Sequence, residues 1–178
     1  MDNRDQPSTP YFIRCIQSPW LPETGAHTDD LRSLQAHWSE AAIPEGFIQL
    51  LRWSNGGRCV FPHAYVDLWS IASIIQLNGS YQIRRYLGDS LMGIGTDGGS
   101  TLIALDLRLL RPGQIVSFDL ADLDISQGKP IAESIAELFR KFDSGLLTSD
   151  NLYGSFEIRV GYATCGLRRE KSSLPAIR

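Results

Sequence analysis

Reactive side chains are scarce in this sequence. Its 178 residues hold three cysteines, Cys15, Cys59 and Cys165, and three histidines, His27, His37 and His63. No two of them stand at the close spacing that a zinc site requires, so the residues imply no metal and no cofactor. An odd number of widely separated cysteines builds no disulfide framework and reads as reduced thiols in a cytoplasmic protein. Long apolar runs are also missing. Nothing approaches the roughly 20 residues that cross a bilayer, and the polar start Met1-Asp2-Asn3-Arg4-Asp5-Gln6 carries no apolar signal core. A basic excess is absent as well. The net charge is −3, which argues against direct binding to nucleic acid or a membrane surface.

What is present is an ordinary globular mixture, 43% hydrophobic and 21% charged. At this length a single domain can bury a core without staples. The most informative stretch runs from Leu91 to Asp106. Two apolar segments flank the turn Thr96-Asp97-Gly98-Gly99-Ser100. It contains Gly93-x-Gly95-x-x-Gly98, a dinucleotide-binding spacing, and Asp119 lies where a ribose-binding acid would fall. That fingerprint requires a helix to follow, because the pyrophosphate sits on the helix N-terminus. Thr101-Leu102-Ile103-Ala104-Leu105 instead has the composition of a strand. A tight hairpin is the better reading.

Along the chain, residues 1–10 are polar and proline-containing and are not expected to order alone. Tyr11–Ile16 suits a short strand, and Pro19–Gly25 is expected to break regular structure. Asp29–Trp38 reads as a helix capped by Thr28, with Leu31, Leu34 and Trp38 on one face. A second helix begins at Pro44 and runs to about Trp53, ending at Asn55-Gly56-Gly57. Strands are expected over Arg58–Phe61 and Val66–Trp69, then a short helix over Ser70–Leu77 broken by Asn78-Gly79. The glycosylation-like Asn78-Gly79-Ser80 reads as a plain turn. Tyr81–Tyr86 is compatible with strand or loop. Pro112-Gly113 turns the chain into a strand over Gln114–Asp119, and a polar loop reaches Pro130. An amphipathic helix covers Ile131–Phe142, and Gly145 stops it. Gly154–Tyr162 alternates like a last strand, and the basic tail beyond looks mobile. This order predicts an α+β fold, a mostly antiparallel central sheet with helices packed against it.

Several segments together resemble one family. They are Ile43-Pro44-Glu45-x-Phe47-x-x-Leu50-Leu51-x-x-Ser54-Asn55-Gly56-Gly57, Leu68-Trp69-Ser70, Leu91-x-x-Ile94-Gly95-Thr96-Asp97-Gly98-Gly99-Ser100 and Ile103-Ala104-Leu105-Asp106. In this order and spacing they resemble the SUKH superfamily, which includes the Smi/Knr-type regulators of fungal cell-wall synthesis. The likeness is strongest over residues 28–143. It divides the chain into an N-terminal extension (1–25), a SUKH-like domain (26–162) and a basic tail (163–178). It implies a compact α+β domain without catalysis. Bacterial members are immunity proteins that bind and block a cognate toxin, often a nuclease. Fungal members are adaptor-like regulators.

The residues offer little chemistry of their own. None of the histidines sits beside a nucleophile motif, and Gly98-Gly99-Ser100 is not a nucleophile elbow. Asp119, Asp122 and Asp124 lack the glycine and distal glutamate of a calcium loop. Asp97, flanked by glycine, is expected to bond its own backbone. Asp106 suits either a backbone contact or an interface. The leading expectation is a non-catalytic, protein-binding immunity module. Asp67, Asp97, Asp106, Asp119 and Asp122 are the candidate partner-binding residues, placed to steer a basic toxin. The alternatives are an adaptor binding a cellular protein and, third, a nucleotide binder or enzyme using the glycine-rich turn.

Overall fold

A computed structural model describes residues 8–39 and 41–152. Its centre is a seven-stranded antiparallel sheet whose spatial order is the order of the chain. The strands are β1 (Trp20–Pro22), β2 (Gly57–Phe61), β3 (Ala64–Leu68), β4 (Leu91–Thr96), β5 (Thr101–Asp106), β6 (Ile115–Asp119) and β7 (Lys129–Ala132). The helices are α1 (Tyr11–Arg14), α2 (Thr28–His37), α3 (Glu45–Trp53), α4 (Ile71–Ser80), α5 (Ile83–Leu87), α6 (Ile135–Asp143) and α7 (Ser149–Leu152). The α+β expectation holds, and so does the antiparallel sheet.

Side chains alternate across a strand, so β2 and β3 each present one face to the core. Cys59, Phe61, Val66 and Leu68 lie on that face and are buried. Helix α6 covers it. The ring of Phe139 meets Trp20 at 5.0 Å and Phe61 at 6.2 Å between centroids, and Phe142 stacks on Phe61 at 5.2 Å. Phe12 of α1 reaches the same Phe139 ring at 5.7 Å. Aromatic rings meeting at these distances add packing energy beyond the area they bury.

Strand β3 leaves the sheet early, after Leu68, and the Trp69 N–H donates to the Ile94 carbonyl at 2.9 Å. That departure leaves the middle of β4 without a strand on one side. Asn78 of α4 fills the gap. Its amide donates to the Gly93 carbonyl at 2.8 Å, and its carbonyl accepts from the Gly93 N–H at 2.9 Å. One side chain thereby makes both bonds a neighbouring strand would make. It also donates to the Ile74 carbonyl at 2.7 Å, so the α4 backbone is tied into the same cluster. Gly93 is required here by close approach: a Cβ would fall 2.7 Å from Ile83 Cδ1 and 3.1 Å from Leu102 Cδ1.

The structure corrects several local expectations. Tyr11–Ile16 is not a strand. Tyr11–Arg14 is a single helical turn, because Pro10 accepts the Ile13 and Arg14 amides and the turn seats Phe12 and Ile13 against the core. Pro19–Gly25 does contain regular structure, since β1 pairs Trp20 with Cys59 and Pro22 with Gly57. A proline is tolerated there because β1 is an edge strand. Residues 11–22 therefore pack against the same core and sheet. His27, not Thr28, stands at the N-cap of α2, and the Asp30 carboxylate accepts from the His27 N–H at 3.1 Å. Asn78-Gly79 does not break α4, which runs on to Ser80, because burial of the Asn78 amide outweighs its low helix propensity. Tyr81–Tyr86 gives way to α5, entered through Gln82 in a left-handed conformation (φ 53°). The loop to Pro130 ends in β7, and Ile131 belongs to that strand. Helix α6 starts only at Ile135, with Ser134 accepting from the Glu137 N–H. The strand expected over 154–162 and the tail from 166 lie outside the described residues.

Asp143, the last residue of α6, ties the α1–β1 connection to the core. Its carboxylate accepts from the Gln17 N–H at 3.0 and 3.1 Å and from the Ser18 N–H at 2.9 Å. Burial pushes this carboxyl up, but the backbone donors outweigh it and hold it below the usual carboxylate range. Its contribution to stability is present above the unfolded carboxylate pKa and is lost as pH falls through the lower folded value. Asp143→Ala is expected to cost about 1–2 kcal/mol near neutral pH and to speed hydrogen exchange at Gln17 and Ser18. Asn78→Ala is expected to cost about 2–4 kcal/mol in urea unfolding, because it strands the polar backbone of Gly93. Asn78→Asp keeps the acceptor but sets an anion against two carbonyls, so its stability should recover as pH is lowered.

Candidate functional site

The alternation that buries one face of β2 and β3 exposes the other. Registers between strands place Leu21, Arg58, Asp67 and Thr96 in one row across β1 to β4, with Val60 opposite Tyr65 beside it. Among the described residues no helix covers this row over β1 to β3. Leu21 and Val60 are 62% and 67% exposed. Further along the same face, Leu102 and Phe118 of β5 and β6 are fully buried. The open region therefore ends where Trp69 and Ile83 close over Gly93.

The β4–β5 turn forms one edge of this face. Gly98 has φ +80°, and a Cβ there would lie 2.5 Å from Tyr65 Cδ1, so the Tyr65 ring rests on the turn backbone. Asp97 shapes the turn as expected. Its Oδ1 accepts from the Gly99 N–H at 2.9 Å and the Thr101 N–H at 3.1 Å. The glycine-rich motif is a hairpin, with β5 and not a helix after it.

On the other edge lies an open cleft of about 540 Å³, lined by Glu23, Asn55, Arg58, Asp67, Trp69 and Ser70 among others. The Arg58 guanidinium stands between two carboxylates, 3.8 Å from Glu23 Oε1 and cross-strand from Asp67. Burial pushes the Asp67 carboxyl up, the Arg58 charge pulls it down, and Glu23 adds to the rise. The surface thus combines apolar side chains (Leu21, Val60, Tyr65) with a net acidic border.

Two of the five sequence candidates, Asp67 and Asp97, border this face. Asp67 pairs with Thr96, Asp97 follows in the turn, and Asp119 pairs with Thr101 on the far side. Asp119 accepts from the Ala121 N–H at 2.9 Å, and Asp122 follows in the next turn, exposed. Asp106 is a correction. It lies at the other end of β5, opposite Leu91, and is fully buried. Its two oxygens accept from the Arg108 backbone and guanidinium, so it has no surface to offer a partner. Sequence reasoning missed Leu21, Val60 and Tyr65. The signal was the alternation in Arg58-Cys59-Val60-Phe61, whose polar side carries an extra apolar residue.

Among the described residues the histidines stay apart. His27 stands at the N-cap of α2, His37 ends it, and His63 sits in the β2–β3 turn. The Cys59 thiol is pushed up to about 11 by burial and by the Asp143 charge, which keeps it protonated at neutral pH. Among the described residues no group of His, Cys, Asp and Glu is arranged to hold a metal ion, and no helix is long and apolar enough to cross a membrane.

The raised Asp67 carboxyl has a measurable consequence. The folded protein holds this proton more tightly than the unfolded chain does. Its effect on stability therefore falls as pH rises from the ordinary carboxylate range through the raised folded value. Asp67→Asn is expected to remove that slope without lowering stability at neutral pH, as read by denaturant unfolding between about pH 3 and 7.

No curated protein matches the chain. One family does: the sequence pattern of the SMI1/KNR4 family (SUKH-1) matches residues 25–141. The match spans α2 to α6, and so takes in the open strands β2 and β3 and the glycine-rich hairpin. With two-thirds of its length covered in this way, the chain belongs to the SMI1/KNR4 (SUKH-1) family.

Proposed function

We propose that the protein is a non-catalytic binding module of the immunity type, which binds a cognate toxin and occludes its working surface. The observation that carries this reading is the open half of the sheet over β1 to β3, where Leu21 and Val60 stand exposed and Tyr65 half-buried beside an acidic border. A protein spends folding stability to expose such a surface only when something covers it in use. Family membership supports a binding role.

Blocking a toxin in this way needs no chemistry from the blocker. An interface of about 800 Å² per partner, anchored by a few desolvated side chains, is sufficient. Val60 and Tyr65 are the anchors. Asp67 and Asp97 flank them, Asp119 and Asp122 lie beyond the same hairpin, and together these carboxylates complement a basic partner such as a nuclease, raising its rate of encounter. The protein acts in the cytoplasm of the cell that makes the toxin.

The test is co-expression with the products of neighbouring genes. Stoichiometric capture of a toxic protein, with relief of its toxicity, is expected. Val60→Asp and Tyr65→Ala should each weaken that complex by at least about 30-fold, the loss typical of a central anchor. Charge reversal at the exposed Asp122 should slow association at low salt and leave dissociation nearly unchanged. Capture of a housekeeping protein in place of a toxin would make the module an adaptor. Undiminished toxin binding by both anchor variants would move the interface elsewhere.

A further inference from the structure

The connection between β5 and β6 carries the most exposed large apolar side chains among the described residues. Leu109 is 93% and Leu110 is 95% accessible. They do not sit on a loose loop. The buried Asp106 carboxylate accepts from the Arg108 N–H at 2.9 Å and from its guanidinium at 2.9 and 2.5 Å. Backbone bonds close the loop further: Arg111 N–H to the Arg108 carbonyl at 2.9 Å, Gly113 N–H to the Asp106 carbonyl at 2.8 Å, and Leu107 N–H to the Ser90 carbonyl at 2.8 Å. A buried charge is thus used to fix a tip whose two leucines touch nothing. That arrangement adds no burial to the fold. It prepares the leucines for contact by fixing their backbone beforehand.

The open sheet face has the complementary character. The tip is apolar and carries one arginine outside any ion pair among the described residues. Asp106 compensates the charge of Arg108, and Arg111 donates to the neutral Gln114 at 3.3 Å, whose amide in turn donates to Glu133 at 3.1 Å. The face is apolar and acidic, with Leu21, Val60 and Tyr65 beside Asp67, Glu23 and Asp97. Tip and face lie at opposite ends of the sheet, since Asp106 pairs with Leu91 whereas Asp67 pairs with Thr96. One copy cannot bring its own tip to its own face. We propose that the protein self-associates head to tail, with Leu109 and Leu110 of one copy seated on the open sheet face of the next and Arg111 against its acidic border.

Such a contact joins two different patches, so it propagates into rings or short open chains and does not stop at a symmetric dimer. Two leucines and one arginine form a small contact, well below the ~800 Å² per partner of a stable complex, so association is weak and concentration-dependent. A lipid surface is the poorer match. Arg108 is already paired within the tip, and a single remaining cation adds little attraction to anionic headgroups. The proposal uses the face assigned above to a toxin but does not depend on the toxin reading.

The test is sedimentation velocity of the full chain from about 10 µM to about 1 mM, the range in which weak contacts populate. The weight-average mass is expected to rise with concentration. Leu109→Asp/Leu110→Asp, which loses the tip, and Val60→Asp, which loses the face, should each remain monomeric throughout. Mixed together, the two variants should form a heterodimer and nothing larger, because each retains the half the other lacks. All three substituted positions are exposed, and thermal melts of the variants check that the fold is kept; Leu109→Ser/Leu110→Ser stands in if the charged pair perturbs it. A wild-type chain that stays monomeric at the highest concentration would overturn the proposal. So would association that survives loss of the tip, or two variants that fail to recombine. Binding of the monomer to phosphatidylserine vesicles through Leu109 and Leu110 would assign the tip to lipid instead. Toxin capture by the tip variant is a separate readout: it should persist, and its loss would bear on the toxin interface alone.

Discussion

A single amide, Asn78, replaces a missing strand, and much of the architecture depends on it. Strand β3 is short, so β4 faces an empty edge at Gly93. An unpaired backbone amide and carbonyl buried there would be costly. The Asn78 side chain meets both, and its bond to Ile74 locks the α4 backbone to the sheet. Gly93 contributes the other half of the fit, since any side chain there would strike Ile83, Leu102 and Trp69. With α4 held in this place, α5 follows onto β4, where Ile83 closes over Gly93 beside Leu102.

That seal also determines where the surface stays open. Helix α6 covers one side of β2 and β3, where Phe139 and Phe142 meet Phe61. On the opposite side, α5 and Trp69 reach only as far as Gly93 and Leu102. Leu21 and Val60 are therefore left bare, and Tyr65 half-covered, while Leu102 and Phe118 are buried. A surface formed in this way rests on a rigid, hydrogen-bonded sheet, so its groups are held in place before any partner arrives.

The two ends of β5 differ in chemistry. At one end Asp97 organises a turn by bonding two backbone amides, and neighbouring carboxylates remain toward solvent. At the other, Asp106 is taken out of solvent altogether and used to hold Arg108 and the leucine tip. Two aspartates nine residues apart in one hairpin thus have opposite roles. What separates them is whether an arginine stands close enough to satisfy a buried carboxylate.

The sequence by itself determined whatever rests on local periodicity or turn chemistry. The hairpin from Leu91 to Asp106, the amphipathic face of α6, the strand Arg58–Phe61 and the bonding of Asp97 to its own turn were all legible, because each depends on residues within a few positions. So was the family, through the order of its segments. The tertiary structure alone decided the rest. Trp20 becomes a strand residue only because Cys59, nearly forty positions away, pairs with it. Asn78-Gly79 looks like a helix breaker until Gly93 supplies the partners that make a buried asparagine favourable. Asp106 is indistinguishable from Asp97 as a letter, and Val60 from any core valine. Burial belongs to the assembled sheet and not to a residue, so which carboxylate faces solvent and which valine stays bare could be settled only once the helices had taken their places.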